Sequence, residues 1–148
     1  MPNHDLGPGQ LRDLRALAGA IIPASAVYDV PGADDERIFS DILRSLERDR
    51  DDIVRALSDL ATLAGGGFAE LDPARRTEVA AAFRETGGAP LAALVRVVLL
   101  CYYRDDRVMR SLGQEPRAPF PKGHVVEQGD WSLLDQVRTR PPMYRLVE

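Results

Sequence analysis

Tyr102, Tyr103 and Asp105 lie within one helical turn of each other, and a phenol beside a carboxylate can pass a proton. Tyrosines at a helix end more often pack their rings and keep the hydroxyl wet, so packing is the first expectation for this pair. His124, in the stretch Pro121-Lys122-Gly123-His124-Val125-Val126, has the titration range for proton transfer. A single loop histidine is nevertheless more often an ordinary surface or hydrogen-bonding residue. The other histidine, His4, is far away in sequence, and neither has cysteines or carboxylates at metal-ligand spacing, which argues against zinc. Asp49, Asp51 and Asp52 begin like a calcium loop, but Val54 stands where that loop needs glycine and the later ligands are absent, leaving a solvated charged turn. Gly65, Gly66 and Gly67 lack the lysine and hydroxyl residue of a phosphate-binding loop and follow a helical pattern rather than a strand. Cys101 is the one cysteine, so no internal disulfide is possible, and its apolar surroundings in sequence predict a buried structural thiol. These residues assemble no catalytic, cofactor-binding or metal site, and by themselves they do not say what the protein does.

The element that must position most of them is Ala89 to Tyr103, where Arg96 is the only charge. Pro90 suits a first helical turn, and Leu91, Leu94, Val95, Val98, Leu99 and Tyr102 recur at helical spacing. Val97, Leu100, Cys101 and Tyr103 widen the apolar stripe around most of the circumference, which predicts a central helix with apolar neighbours on nearly every side. A strand is the alternative, given Val95, Val97, Val98 and the two tyrosines, but length and flanks favour helix. A membrane span needs about 20 apolar residues, and this run is shorter.

Around it the chain reads as successive helices. Leu11, Leu14, Leu17, Ala18, Ile21 and Ile22 form one face of a first helix that Pro23 stops. Pro23 to Gly32, carrying Val27, Tyr28 and Val30, reads as an extended connection lying over the core. Asp34, Asp35 and Glu36 suit the positive end of a second helix, whose buried side is Ile38, Phe39, Ile42, Leu43 and Leu46. The run Glu47 to Asp52 marks a break before a third helix with Ile53, Leu57, Leu60 and Ala64, ended by the three glycines. Asp72 and Pro73 are a cap and first-turn pair for a fourth helix to about Glu85, with Val79, Ala82 and Phe83 inward. Gly87 and Gly88 lead into the central helix, and a short amphipathic piece follows around Val108, Met109 and Leu112. The expected fold is all-α: a single domain of five to six helices over residues 11–112, after a loose start at 1–10.

From Gly113 to Glu148 the composition changes. Pro116, Pro119, Pro121, Pro141 and Pro142 punctuate this tail, and its only helical pattern is Trp131 to Val137, with Asp130 as cap. Phe120, Val125, Val126, Trp131, Leu133, Leu134, Val137, Met143, Tyr144, Leu146 and Val147 give it too much apolar surface for a solvated linker. It either wraps its own domain or docks on a partner, where aromatic anchors such as Trp131 and Tyr144 would dominate the binding energy. The chain of 148 residues suits one core. Its net charge of −4 supplies no electrostatic footprint for nucleic acid or an anionic membrane. The opening MPNHDLGPGQ holds neither a basic cluster nor an apolar run, so no secretory signal is expected there.

Taken in order, several stretches resemble the gluconate 2-dehydrogenase subunit 3 family, the small or gamma subunits of flavin-dependent dehydrogenases of the glucose-methanol-choline class. They are Ala20-Ile21-Ile22-Pro23, Pro31-Gly32-Ala33, Gly67-Phe68 with Leu71 and Asp72-Pro73, Leu99 to Asp105 (LLCYYRD), Leu112-Gly113, and the loop Pro119 to Gly123. The likeness spans about Leu11 to Gly123 and rests on order and spacing, not on one diagnostic motif. It implies an all-helical, non-catalytic subunit that binds a much larger flavoprotein and supports its stability or maturation. FAD would then sit in the partner and none in this chain, and a cytochrome c subunit joins some such complexes as electron acceptor. On this reading Tyr102, Tyr103, Phe120, His124, Trp131 and Tyr144 are the partner-interface candidates, with no nucleic acid and no direct membrane insertion. Many small subunits of the family begin with a twin-arginine export signal; this opening shows none, so a cytoplasmic complex is expected, or a periplasmic one exported with its partner. The alternative is a free-standing helical enzyme or small-molecule binder with a pocket near His124 and Tyr102/Tyr103.

Overall fold

The computed structural model describes residues 6–118, 120–123 and 125–141. Among these there are seven α-helices and no strand; the only β-type pairing is the bridge between Ser25 and Val30. The chain is all-α. It divides into two units, one ending at Pro116 and the other beginning at Arg117, close to the change of composition at Gly113.

In the first unit local chemistry sets each helix end. Helix α1 (Pro8–Ile21) starts earlier than its apolar face because Pro8 occupies the first turn, and the Gln10 side chain accepts the Gly7 N–H at 3.0 Å. Helix α2 (Glu36–Arg44) is capped by Asp35, whose carboxylate accepts the Arg37 and Ile38 N–H groups. A 3-10 turn at Glu47–Asp49 occupies the charged break, and helix α3 (Arg50–Ala64) follows. It ends on Gly65 in the left-handed region at φ 70°, where the absence of a Cβ removes the steric cost. Helix α4 (Pro73–Thr86) is capped by Asp72, which accepts from Ala74 and Arg75 at 3.0 Å each. Gly87, at φ 61° and ψ −154°, is the whole connection to helix α5 (Gly88–Tyr103), and the chain bends by 119° there. Helix α6 (Asp106–Ser111) closes the unit, capped by Asp105.

Helix α5 packs on α3 and α2, and α3 packs on α4. Ala93, Leu94, Val97, Val98, Cys101 and Tyr102 form its buried face at three- and four-residue spacing, and all but Ala93 belong to one core cluster with Ile38, Ile42, Ile53, Leu57, Leu60 and Phe68. Each fully buried aliphatic or aromatic side chain of this kind contributes roughly 1.5–3 kcal/mol. Among the described residues no single helix is long and apolar enough to cross a membrane.

Three expectations are corrected. The central helix is not enclosed on nearly every side: Leu99, Leu100 and Tyr103 are 36%, 59% and 53% exposed. Its partners α2 and α3 cover only one side, so the surplus apolar residues face outward. The connection after α1 does not lie over the core. Ser25 and Val30 exchange both backbone hydrogen bonds and pinch the chain into a tight loop, leaving Val27 and Tyr28 at its exposed tip. Ala82 is exposed too, because Val79 and Phe83 define the inward edge of α4.

In the second unit Asp130 caps a 3-10 turn, Trp131–Leu134, accepting from Ser132 N–H at 3.0 Å and Oγ at 2.6 Å, and helix α7 (Asp135–Arg138) continues it. The described apolar side chains Phe120, Val125, Val126, Trp131, Leu133 and Val137 are all exposed. Met143, Tyr144, Leu146 and Val147 lie outside the described residues, as do Pro119 and Pro142.

Candidate functional site

The C-terminal end of α5 is surrounded by arginines and aspartates from α2 and α6. Asp105 follows the helix and caps α6, accepting the Arg107 N–H at 2.9 Å; its carboxylate is 4% exposed. The Arg107 guanidinium returns to the same carboxylate, Nε at 3.0 Å and Nη2 at 3.1 Å, and reaches Asp35 at 2.7 and 3.2 Å. One guanidinium thus joins the carboxylate caps of α2 and α6. Its hydrogen bonds hold both aspartates below the ordinary carboxylate range, against the upward push of burial, and the two carboxylates raise Arg107 in turn, Asp35 most. Arg37 adds a looser ion pair to Asp105 at 3.8 Å.

One turn along α2, Asp41 takes Nε of Arg104 and, at 3.3 Å, Nη2 of Arg44. Burial pushes Asp41 up, but the two arginines outweigh it and leave the carboxylate below its usual range. Arg104 also donates to Ser45 Oγ at 2.6 Å and approaches the Cys101 sulfur at 3.5 Å. Burial raises the Cys101 thiol, so it stays protonated and inert near neutral pH, as the apolar run around it predicted. Arg37, Asp41, Arg44, Arg104 and Asp105 line a cavity of about 220 Å³ over Ile38 and Cys101.

Two other cavities flank the helices. An open one of about 800 Å³ lies between the loop after α1 and α6, lined by Ser25, Tyr28, Asp29, Arg107, Arg110 and Ser111. An apolar one of about 410 Å³ lies among α1, α4 and α5, lined by Leu17, Ile21, Ala80, Phe83, Arg84 and Val95.

Tyr102 and Tyr103 stand edge to face with ring centroids 5.2 Å apart, yet their environments differ. Tyr102 is 5% exposed, and its phenol is raised by burial and then by Tyr103 and Asp105, whereas Tyr103 faces outward. Among the described residues no hydrogen bond joins either tyrosine to Asp105, whose carboxylate is committed to Arg107. The proton-passing arrangement considered for these three residues is therefore not assembled. Neither tyrosine lines the three cavities above. Phe120 and Trp131 are exposed in the second unit; His124, His4 and Tyr144 lie outside the described residues. No group of three or more potential metal ligands occurs among the described residues.

The arginine cluster went unread in the sequence. Its signal is the spacing of Arg37, Asp41 and Arg44 on one face of α2, repeated in the charges of Arg104 to Arg107. Comparison of the chain with protein-family models, with curated proteins and with solved structures finds no match. Its chemistry is read from its own residues.

Proposed function

We propose that this chain is a non-catalytic small subunit that binds a larger FAD-dependent dehydrogenase of the glucose-methanol-choline class and stabilises or matures it. The flavin is held by the partner, which oxidises a hydroxyl group of a sugar, polyol or sugar acid. The observation that carries the reading is the outward face of α5, where Leu99, Leu100 and Tyr103 are exposed within about one turn of each other. Apolar residues at helical spacing on an otherwise well-packed helix are what an interaction surface presents. The exposed Trp131 and Phe120 supply the aromatic anchors such surfaces use. The likeness of the LLCYYRD stretch and its neighbours to the subunit 3 family names the class of partner.

A second reading, a free-standing binder of small molecules, is favoured by the open cavity of about 800 Å³ beside Tyr28 and Arg110. Co-expression with an FAD-dependent dehydrogenase of that class separates the two. A yellow one-to-one complex that survives gel filtration is expected. A colourless monomer that turns over a substrate alone would overturn the subunit reading.

A further inference from the structure

The cavity between α2 and the end of α5 combines small size, polar walls and an excess of guanidinium groups. Three arginines, Arg37, Arg44 and Arg104, line it against two aspartates, Asp41 and Asp105. They leave one positive charge over. Including Arg107 and Asp35, which continue the network, leaves the same excess. The two carboxylates are engaged by the surrounding guanidiniums, Asp41 by Arg44 and Arg104, Asp105 by Arg107 and Arg37.

The arginines are less fully used. Among the described residues Arg44 makes a single side-chain hydrogen bond, the 3.3 Å contact to Asp41. Arg37 makes only its 3.8 Å ion pair to Asp105. Arg104 spends Nε and Nη2 on Asp41, Ser45 and Cys101. A guanidinium carries five N–H donors in a rigid fork that matches a carboxylate in pairs, so the cavity wall holds several donors without a protein acceptor. Arg37 and Arg44 stand two turns apart on α2 with Asp41 between them, and the aspartate's bonds to Arg44 and Arg104 hold those two side chains at the rim.

We propose that this cavity is a binding site for one small carboxylate. The single surplus charge matches a monoanion, and about 220 Å³ suits a compact molecule. Arg37 and Arg44 bind the carboxylate oxygens, and Arg104 orients the rim through Asp41 and Ser45. The inference is independent of the docking face on α5, since it concerns the isolated chain.

The test is titration of the full chain with glycolate, read by the Nε–H resonances of its arginines and by melting temperature. Sodium chloride and inorganic phosphate at matched ionic strength, and the neutral ethylene glycol, serve as controls. Glycolate is expected to saturate and to shift Arg37 and Arg44. R44Q should weaken it about tenfold, the value of one charge-assisted hydrogen bond, while R110Q, outside this cavity, leaves it unchanged. Both arginines are well exposed, at 67% and 64% of their side chains, so these variants keep the fold. An equal response to chloride or phosphate, or glycolate binding that persists undiminished in R37Q/R44Q, would overturn the proposal.

Discussion

Arg107 donates to Asp35 at 2.7 Å across 72 positions of sequence, and with the same guanidinium it holds Asp105 two positions away. Both aspartates are helix caps, so a single side chain fixes where α2 and α6 begin relative to each other. Arg107→Ala leaves the Asp105 carboxylate, 4% exposed, with its backbone cap bond and, among side chains, only the distant Arg37. Loss of one partner of a fully buried pair costs about 3–5 kcal/mol. Arg107 itself is 37% exposed, and screening lowers the expected loss to about 2–3 kcal/mol. Urea denaturation followed by circular dichroism measures it, and Arg107→Lys, which keeps the charge but loses the fork, should fall between.

The same contacts fix a direction for pH. Asp35 and Asp105 are both held below the ordinary value of 3.8, chiefly by Arg107. Their unfolded forms therefore bind protons more readily than their folded forms. The stability they contribute is fully present above that ordinary value and drains away as pH falls through the lowered ones. Denaturation midpoints measured from pH 6 down to pH 2 should drop steeply below about pH 4, and the drop should be shallower in Arg107→Ala. Parallel curves for the two proteins would show that other carboxylates govern acid unfolding.

Gly32 ends the loop after α1, three residues before the Asp35 cap of α2. A methyl group there would lie 2.9 Å from the Ala24 nitrogen and 3.3 Å from the Ile22 carbonyl, and against the Asp34 carboxylate. Backbone cannot yield as a flexible side chain can. The neighbouring Ala33 N–H donates to that same Ile22 carbonyl at 2.9 Å. Gly32→Ala should therefore cost about 1–3 kcal/mol through forced displacement, read as a lowered melting temperature. Gly9→Ala, with open space around it, should cost nothing of this kind.

How far the sequence could be read is clearest on α5. Its helical character and the buried positions Leu94, Val98 and Tyr102 were legible from spacing, although Leu99, at the same spacing, stands exposed. Which apolar residues stayed outside was not, because Leu94 and Leu100 carry the same side chain and differ only in what faces them. Caps were legible where the chemistry is local, as at Asp72-Pro73 and Asp130. The Arg107 and Arg104 networks were not, since they join residues 59 to 72 positions apart. A paired experiment measures this difference. Val98→Asp, at 0% exposure, places an unpaired charge in the core, at a cost on the order of 4–5 kcal/mol, comparable with the whole stability of a domain. Leu100→Asp, at 59% exposure, should leave the isolated chain within about 0.5 kcal/mol of the parent.

Trp131 tests the partner reading where stability cannot. It opens a 3-10 turn whose cap is Asp130 bonded to Ser132, so the turn does not depend on the indole. Trp131 is 59% exposed, and its neighbours Leu133 and Val137 are exposed with it. Trp131→Ala should therefore leave helical content and melting temperature of the isolated chain nearly unchanged. At a protein interface a buried tryptophan anchor is worth about 2 kcal/mol or more, some thirtyfold in affinity. Co-purification of the flavoprotein with the variant should fall accordingly, and further in combination with Leu100→Asp if both residues meet one partner surface. Melting of the isolated chain by Trp131→Ala would instead assign the indole to the protein's own packing. Full retention of the complex by the double variant would remove the α5 face and Trp131 from the interface together.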